Sequence, residues 1–189
     1  MGKQATKAMM AGMAIALGCC LYLLAPNNII GAVLFSCGLL CVRIYKLNLF
    51  TGKIQYMNTS EYSLLFYIVI LFYNLLGVVF MWWITRFLTA NLAAPIAAAK
   101  AAQPFQIAFM KAVGCGMLMS IATYPESPLW MCLICVPGFI LAGFNHCIAD
   151  LYYALAGGQI GWAFPTTIFG NIVGGILMSN LWDKAKSNT

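Results

Sequence analysis

From Tyr62 to Thr85 the chain carries no charged residue, and Ser63 and Asn74 are the main polar interruptions. A helix needs roughly 20 apolar residues to cross the hydrocarbon core of a bilayer, so this run is long enough to span. Its apolar residues are continuous and do not alternate with polar ones, which excludes a β-barrel strand. The rest of the chain repeats the pattern. Charged residues make up 7% of the 189 residues and hydrophobic ones 63%, whereas a soluble domain carries about 25% charged residues. Ten basic and four acidic side chains cannot cover a water-facing surface of this size. The sequence predicts an all-α membrane protein, one transmembrane domain over residues 1–189 with about six spans.

The expected spans are Lys3–Ala25, Ile29–Met57, Tyr62–Thr85, Pro104–Tyr124, Leu129–Ala156 and Trp162–Trp182, with a tail from Asp183 to Thr189. Pro26-Asn27-Asn28, Pro125–Pro128 and Gly157–Gly161 supply turns, and an Ala-rich linker is expected over Leu88–Gln103. The first apolar run, Ala8–Ala25, has no small-residue cleavage site before the next span and reads as a span rather than a leader. Lys3 and Lys7 at one end and Lys184 and Lys186 at the other predict both termini in the cytoplasm of a multi-pass protein of the cell (inner) membrane. Two ends on one side require an even number of spans. The net charge of +6 is thus assigned to the membrane setting and not to a nucleic-acid partner.

The two halves resemble each other. Asn48-Leu-Phe-Thr-Gly-Lys53 lies 97 positions before Asn145-His-Cys-Ile-Ala-Asp150, and Tyr56/Tyr153, Asn74/Asn171, Gly77/Gly174 and Met81/Met178 share that offset. Lys7–Met13 matches Lys111–Met117 at an offset of 104. Repeat 1 covers about residues 1–87 and repeat 2 about 104–183. Three spans per half is an odd number, so the second half enters from the opposite side, which makes an inverted 3+3 repeat. Such repeats place their site near the midplane, at broken helices in matching positions. Spans 2 and 5 are the interrupted ones, carrying Arg43, Lys46 and Lys53 in one and Asn145, His146 and Asp150 in the other.

These motifs resemble the formate/nitrite transporter family. Asn48-Leu49-Phe50-Thr51-Gly52-Lys53 stands for that family's E-L-F-T-G-N, and Phe144-Asn145-His146-Cys147-Ile148-Ala149-Asp150-Leu151-Tyr152 for its F-E-H-S-x-A-N-x-Y. Gly170-Asn171-Ile172-Val173-Gly174-Gly175 stands for its G-N-x-x-G-G, and Lys7 and Lys111 for the lysines that open its spans 1 and 4. The chain departs from the pattern where Asn48 and Asn145 replace glutamates, where Lys53 and Asp150 replace asparagines, at Gly116, and at Arg43 and Lys46. The resemblance implies an aquaporin-like protomer in a homo-pentamer, with one pore in each protomer. That pore would pass formate, nitrite, hydrosulfide or similar weak-acid anions. It would have a vestibule at each end and a central histidine between two apolar constrictions.

His146 is the only histidine. An ionisable residue within a span is a functional candidate by default, although a packed core histidine is the plain alternative. Imidazole is the natural proton partner near neutrality, so His146 is expected to let anions cross at or near their neutral, protonated form. Leu49 and Phe50 are expected as an apolar gate and Thr51 as a hydrogen-bond partner of substrate or His146. Lys7 and Lys111 would draw anions to the two mouths, where simple snorkelling is the alternative. Asn145 belongs to the same motif. Asn74 and Asn171 would satisfy carbonyls freed by the helix breaks. Lys53 and Asp150 are expected to form an ion pair across the pseudo-axis.

Cys132 and Cys135 are spaced as C-x-x-C in an apolar segment without a neighbouring ligand type, and packing is the better reading. No metal and no cofactor is expected. Paired carboxylates and nucleophile–base sets are missing, so an enzyme is not expected. The alternative to a channel is a non-conducting membrane scaffold whose pore is closed by Lys46 and Arg43.

Overall fold

The computed structural model describes residues 2–58 and 61–187; positions 1 and 188–189 of the expected domain and tail lie outside them. Helix α1 (Lys3–Leu24) stops at Ala25, because the residue before Pro26 is driven out of helical geometry. Helix α2 (Asn28–Ile44) starts on Asn27, whose side chain accepts the Ile30 amide, and then Phe50–Lys53 forms α3, continued by a 3₁₀ turn at Ile54–Tyr56. Helix α4 (Leu64–Ala101) is capped by Ser63, and α5 (Phe105–Thr123) follows Pro104. A 3₁₀ turn at Leu129–Met131 leads into α6 (Cys132–Leu141). Helix α7 (Cys147–Gly157) is capped by His146 and closed by left-handed Gly158, and α8 is Ala163–Ser187.

Helices α1, α4 and α5 are long and apolar enough to cross a membrane. Helices α2, α6 with its preceding turn, and α7 are shorter apolar helices. The exterior is apolar as well: Phe87, Leu64, Ile29 and Trp162 are exposed, the reverse of a water-facing surface.

The expected linker at Leu88–Gln103 does not exist as one. Helix α4 runs on for 38 residues to Ala101, straight through Pro95. Alanine is the strongest helix former, and Ala93 and Ala97 are buried on the face that meets α7. Packing on that face outweighs the single backbone bond lost at Pro95.

Small residues set how closely the helices approach. A Cβ on Gly12 of α1 would run into the Asn74 carbonyl of α4, and one on Gly77 of α4 into the Met9 carbonyl of α1. The second half repeats this: Gly116 of α5 meets the Asn171 carbonyl of α8, and Gly174 of α8 meets the Val113 carbonyl. Backbones this close gain dispersion and polar contacts that lipid cannot supply.

Helices α2 and α6 end in the same way. Lys46 donates to the Arg43 carbonyl (3.2 Å) and Leu47 to Val42 (2.8 Å); Gly143 donates to Ile140 (3.0 Å) and Phe144 to Phe139 (2.9 Å). This pair of bonds is the Schellman motif, which needs a left-handed residue. Gly143 supplies it at φ 66°, and Lys46 supplies it at φ 50°.

Candidate functional site

Residues 45–49 and 142–146 leave helical geometry, and 47–49 and 145–146 do so in the buried interior, so their backbone groups need partners. One asparagine serves each segment. Asn74 accepts the Phe50 amide (2.8 Å) and donates to the carbonyls of Ala8 (2.7 Å) and Asn48 (2.9 Å). Asn171 accepts the Cys147 amide (2.9 Å) and donates to Ala112 (2.8 Å) and Asn145 (2.9 Å). The Asn48 amide reaches the Lys7 carbonyl and the Asn145 amide the Lys111 carbonyl, both at 3.4 Å. Asn74 and Asn171 are both fully buried, and each uses both amide N–H donors and its carbonyl oxygen on backbone groups.

His146 ends the second of these stapled segments and reaches across to Thr51, just past the first. Its Nδ1 accepts the Ala149 amide (3.2 Å) as the N-cap of α7, and its Nε2 lies 2.9 Å from Thr51 Oγ1. An atom that accepts an amide hydrogen has no proton of its own. His146 is therefore the neutral Nε2–H tautomer, donating to Thr51. The Phe139 ring stacks on the imidazole at 5.6 Å and meets Phe35 edge-on at 5.9 Å. Phe35, Leu49, Phe50 and Phe139 are buried, so the surroundings of the pair are dry and apolar.

Two cavities flank the pair. The first, about 340 Å³, is lined by His146, Phe35, Phe139, Lys100, Lys111 and Asp150 among others. The second, about 390 Å³, is lined by Leu49, Gly52, Tyr56, Arg43, Lys46 and Lys53 among others. Its lining contains three cations and no carboxylate.

Most of these cations are already engaged. Lys100 pairs with Asp150 (2.8 Å) and donates to Asn145 Oδ1 (2.8 Å) and the Phe144 carbonyl (3.3 Å). Asn145 in turn donates to Gln103 Oε1 (2.6 Å). Arg43 is turned onto the carbonyls of Ala122, Pro128, Tyr124 and Ser127 at 2.7–3.5 Å. Lys53 reaches the Tyr62 hydroxyl (3.4 Å) and lies over the Tyr56 and Tyr62 rings. Among the described residues, no hydrogen bond or ion pair holds the ammonium of Lys46 or of Lys111.

The Lys53–Asp150 pair expected from the sequence is corrected by this geometry. Asp150 takes Lys100, which the unbroken α4 delivers to it, and Lys53 turns instead to Tyr56 and Tyr62. Lys111 lines the first cavity, but Lys7 lines neither; what it contributes here is its backbone carbonyl. Lys100, Gln103, Phe35 and Phe139 were not singled out from the sequence. Reading residues 88–103 as a helix would have put Ala93, Ala97 and Lys100 on one face and exposed the first of these. The two phenylalanines carry no sequence signal beyond being apolar.

Residues 1–182 match the formate/nitrite transporter family. Two solved structures share the fold. A pentameric formate channel with formate bound aligns with a TM-score of 0.80 at 18% identity, covering 99% of this chain and 97% of the other. An FNT family ion channel aligns with a TM-score of 0.79 at 21% identity, covering 96% and 89%. No curated protein sequence matches. The chain belongs to the formate/nitrite transporter family: it is a multi-pass membrane protein of a family of transport proteins, not of enzymes.

Proposed function

We propose that this protein is a channel for small monovalent weak-acid anions, of the size of formate, nitrite or hydrosulfide, and that His146 governs the crossing. The observation that carries this is the buried Nε2–H of His146, 2.9 Å from Thr51, between two cavities that both carry cations. A bare anion entering the dry region beside Phe35 and Phe139 loses hydration worth many kcal/mol. A hydrogen bond from Nε2 offsets part of that cost, and a proton on the anion removes most of the rest. Neutral imidazole is far too weak an acid to give up Nε2–H. Imidazolium would need a proton on Nδ1, which the Ala149 amide opposes. The proton then comes from cavity water, and His146 acts as a neutral donor that stabilises the weak acid as it passes Thr51.

The architecture that goes with this reading is an inverted 3+3 repeat of six spans, spans 2 and 5 being broken as α2/α3 and α6/α7. The matched hydrogen bonds of Asn74 and Asn171 support it. Repeat 1 covers about residues 1–87 and repeat 2 about 104–183 of one domain. The assembly is a homo-pentamer, supported by the fold shared with a pentameric formate channel; it lies in the cell (inner) membrane with both termini in the cytoplasm, a reading supported by the basic residues at the two ends. The scaffold alternative is disfavoured because the guanidinium of Arg43 is held by carbonyls at the end of α5 and in the turn after it and the cavity it borders is roomy.

The test is flux of labelled formate, nitrite and hydrosulfide into liposomes over a range of pH, for the parent and His146→Asn. Asparagine keeps an N-cap acceptor and loses the Nε2 donor. Assembly is expected to survive and flux to fall with an altered pH profile. Equal flux and an equal profile would refute the histidine role; a parent that moves none of these anions would refute the channel.

A further inference from the structure

Lys46 occupies a backbone position that works against its side chain. The Schellman turn closing α2 requires left-handed geometry, and at the matching turn closing α6, 97 positions on, that place is held by Gly143. An L-residue with a Cβ is disfavoured there. Glycine would satisfy the turn without strain, so the lysine is present for what its ammonium does.

The other mouth indicates what that is. Lys111 of α5 brings its Nζ to 3.7 Å from where a Cβ on Gly143 would stand. In the first cavity a free ammonium thus hangs over the glycine turn, delivered from a neighbouring helix. In the second cavity the counterpart of Lys111 is Lys7, which does not reach the lining, and the turn residue itself carries the ammonium. Arg43 and Lys53 border that cavity too, but both terminal nitrogens of Arg43 are held by carbonyls, and the ammonium of Lys53 lies over the Tyr56 and Tyr62 rings and reaches the Tyr62 hydroxyl. Lys46 is exposed and, among the described residues, unpaired.

We infer that Lys46 is the anion-capturing residue of the second mouth, the working partner of Lys111, and that the strained turn is retained to place it there. This rests on the channel reading and adds which cation recruits the anion. Capture by an exposed charge is long-range and screened by salt: the Debye length falls from about 30 Å at 0.01 M to about 3 Å at 1 M. Flux at low formate concentration should therefore fall as inert salt rises, and Lys46 should account for much of that dependence.

The experiment compares the parent, Lys46→Gly and Lys46→Arg in liposomes, with low formate at low and high salt, and by thermal denaturation in detergent. Lys46→Gly is expected to melt roughly 2–4 °C higher, the shift about 1 kcal/mol gives in a chain of this size. Its low-salt flux should fall roughly tenfold, the low end of electrostatic steering, with a weaker response to salt. Lys46→Arg should keep both the flux and the salt response. A conducting parent with Lys46→Gly flux and salt response unchanged overturns this inference alone. So does a Lys46→Gly melting point at or below the parent's, since no strain would then have been relieved. A parent that conducts no anion overturns the channel reading with it.

Discussion

Thr51 Oγ1 and His146 Nε2 lie 2.9 Å apart across 95 positions of sequence, and the direction of their hydrogen bond is fixed by a third group, the Ala149 amide on Nδ1. One side chain thus caps a helix with one nitrogen and faces the other half of the protein with the other. The tautomer is a consequence of secondary structure.

Thr51→Val follows from that pair. Valine matches threonine in shape but offers no acceptor, so it leaves the buried Nε2–H unpaired at a cost of about 1–3 kcal/mol. Purified Thr51→Val should melt lower than the parent, while nitrogen NMR of labelled His146 should still show a proton on Nε2. A proton on Nδ1 in the parent would contradict the assigned direction.

Lys100 and Asp150 should behave as a unit. Removing one partner of this part-buried pair leaves an uncompensated charge, at a cost that reaches about 3–5 kcal/mol for a fully buried pair. Lys100→Met and Asp150→Asn should each destabilise the detergent-solubilised protein strongly, and the double variant should recover much of the loss. Losses that simply add would mean that the 2.8 Å contact contributes nothing as a pair. Lys53→Met combined with Asp150→Asn should show no such recovery.

Asn74→Leu and Asn171→Leu should be equally severe. Each strands an amide (Phe50 or Cys147) and a carbonyl (Asn48 or Asn145) in the interior. Every buried group so abandoned costs about 1–3 kcal/mol. Folded yield in detergent, read by size-exclusion chromatography, should collapse for both. A mild effect at one and a severe effect at the other would break the equivalence of the two staples.

Gly174→Ala should push α5 and α8 apart, because the new methyl meets the Val113 carbonyl and neither backbone can yield. Overpacking of this kind costs about 1–3 kcal/mol or more. Gly138→Ala is the control: its Cβ finds nothing nearer than 3.9 Å, so its melting temperature should hold or rise, alanine being the better helix former.

What the sequence made legible was whatever the chain states twice or states by chemical scarcity. Asn74, Asn171 and the lone histidine stand out against an apolar background, and the structure brings all three to the same region. Errors came where the background itself carried the information. Residues 88–103 look featureless because alanine marks neither a face nor a boundary, and the helix they form is what delivers Lys100. With Lys100 overlooked, the 97-residue offset made Lys53 the obvious partner for Asp150. Offset correctly relates positions, but a charge pairs with what is near it, and nearness was set by a helix read as a linker. Phe35 and Phe139 were invisible for a simpler reason: in a chain this apolar, two more phenylalanines distinguish nothing.

Pro95 gives α4 a peculiarity of its own. The proline has no amide hydrogen, so the rung that would tie it to the Asn91 carbonyl is missing, and Ile96–Ala101 is joined to the rest of the helix by a ladder with that gap. Lys100 stands on the segment beyond it. Packing holds that segment in place of the missing rung, Ala97 against Gly157 and Ala101 against Gly161, and the carboxylate of Asp150, the amide oxygen of Asn145 and the Phe144 carbonyl hold the Lys100 ammonium. The outline of the first mouth is consequently set by two things at once, the close seating of α4 on α7 and the charge pairing of Lys100 with Asp150.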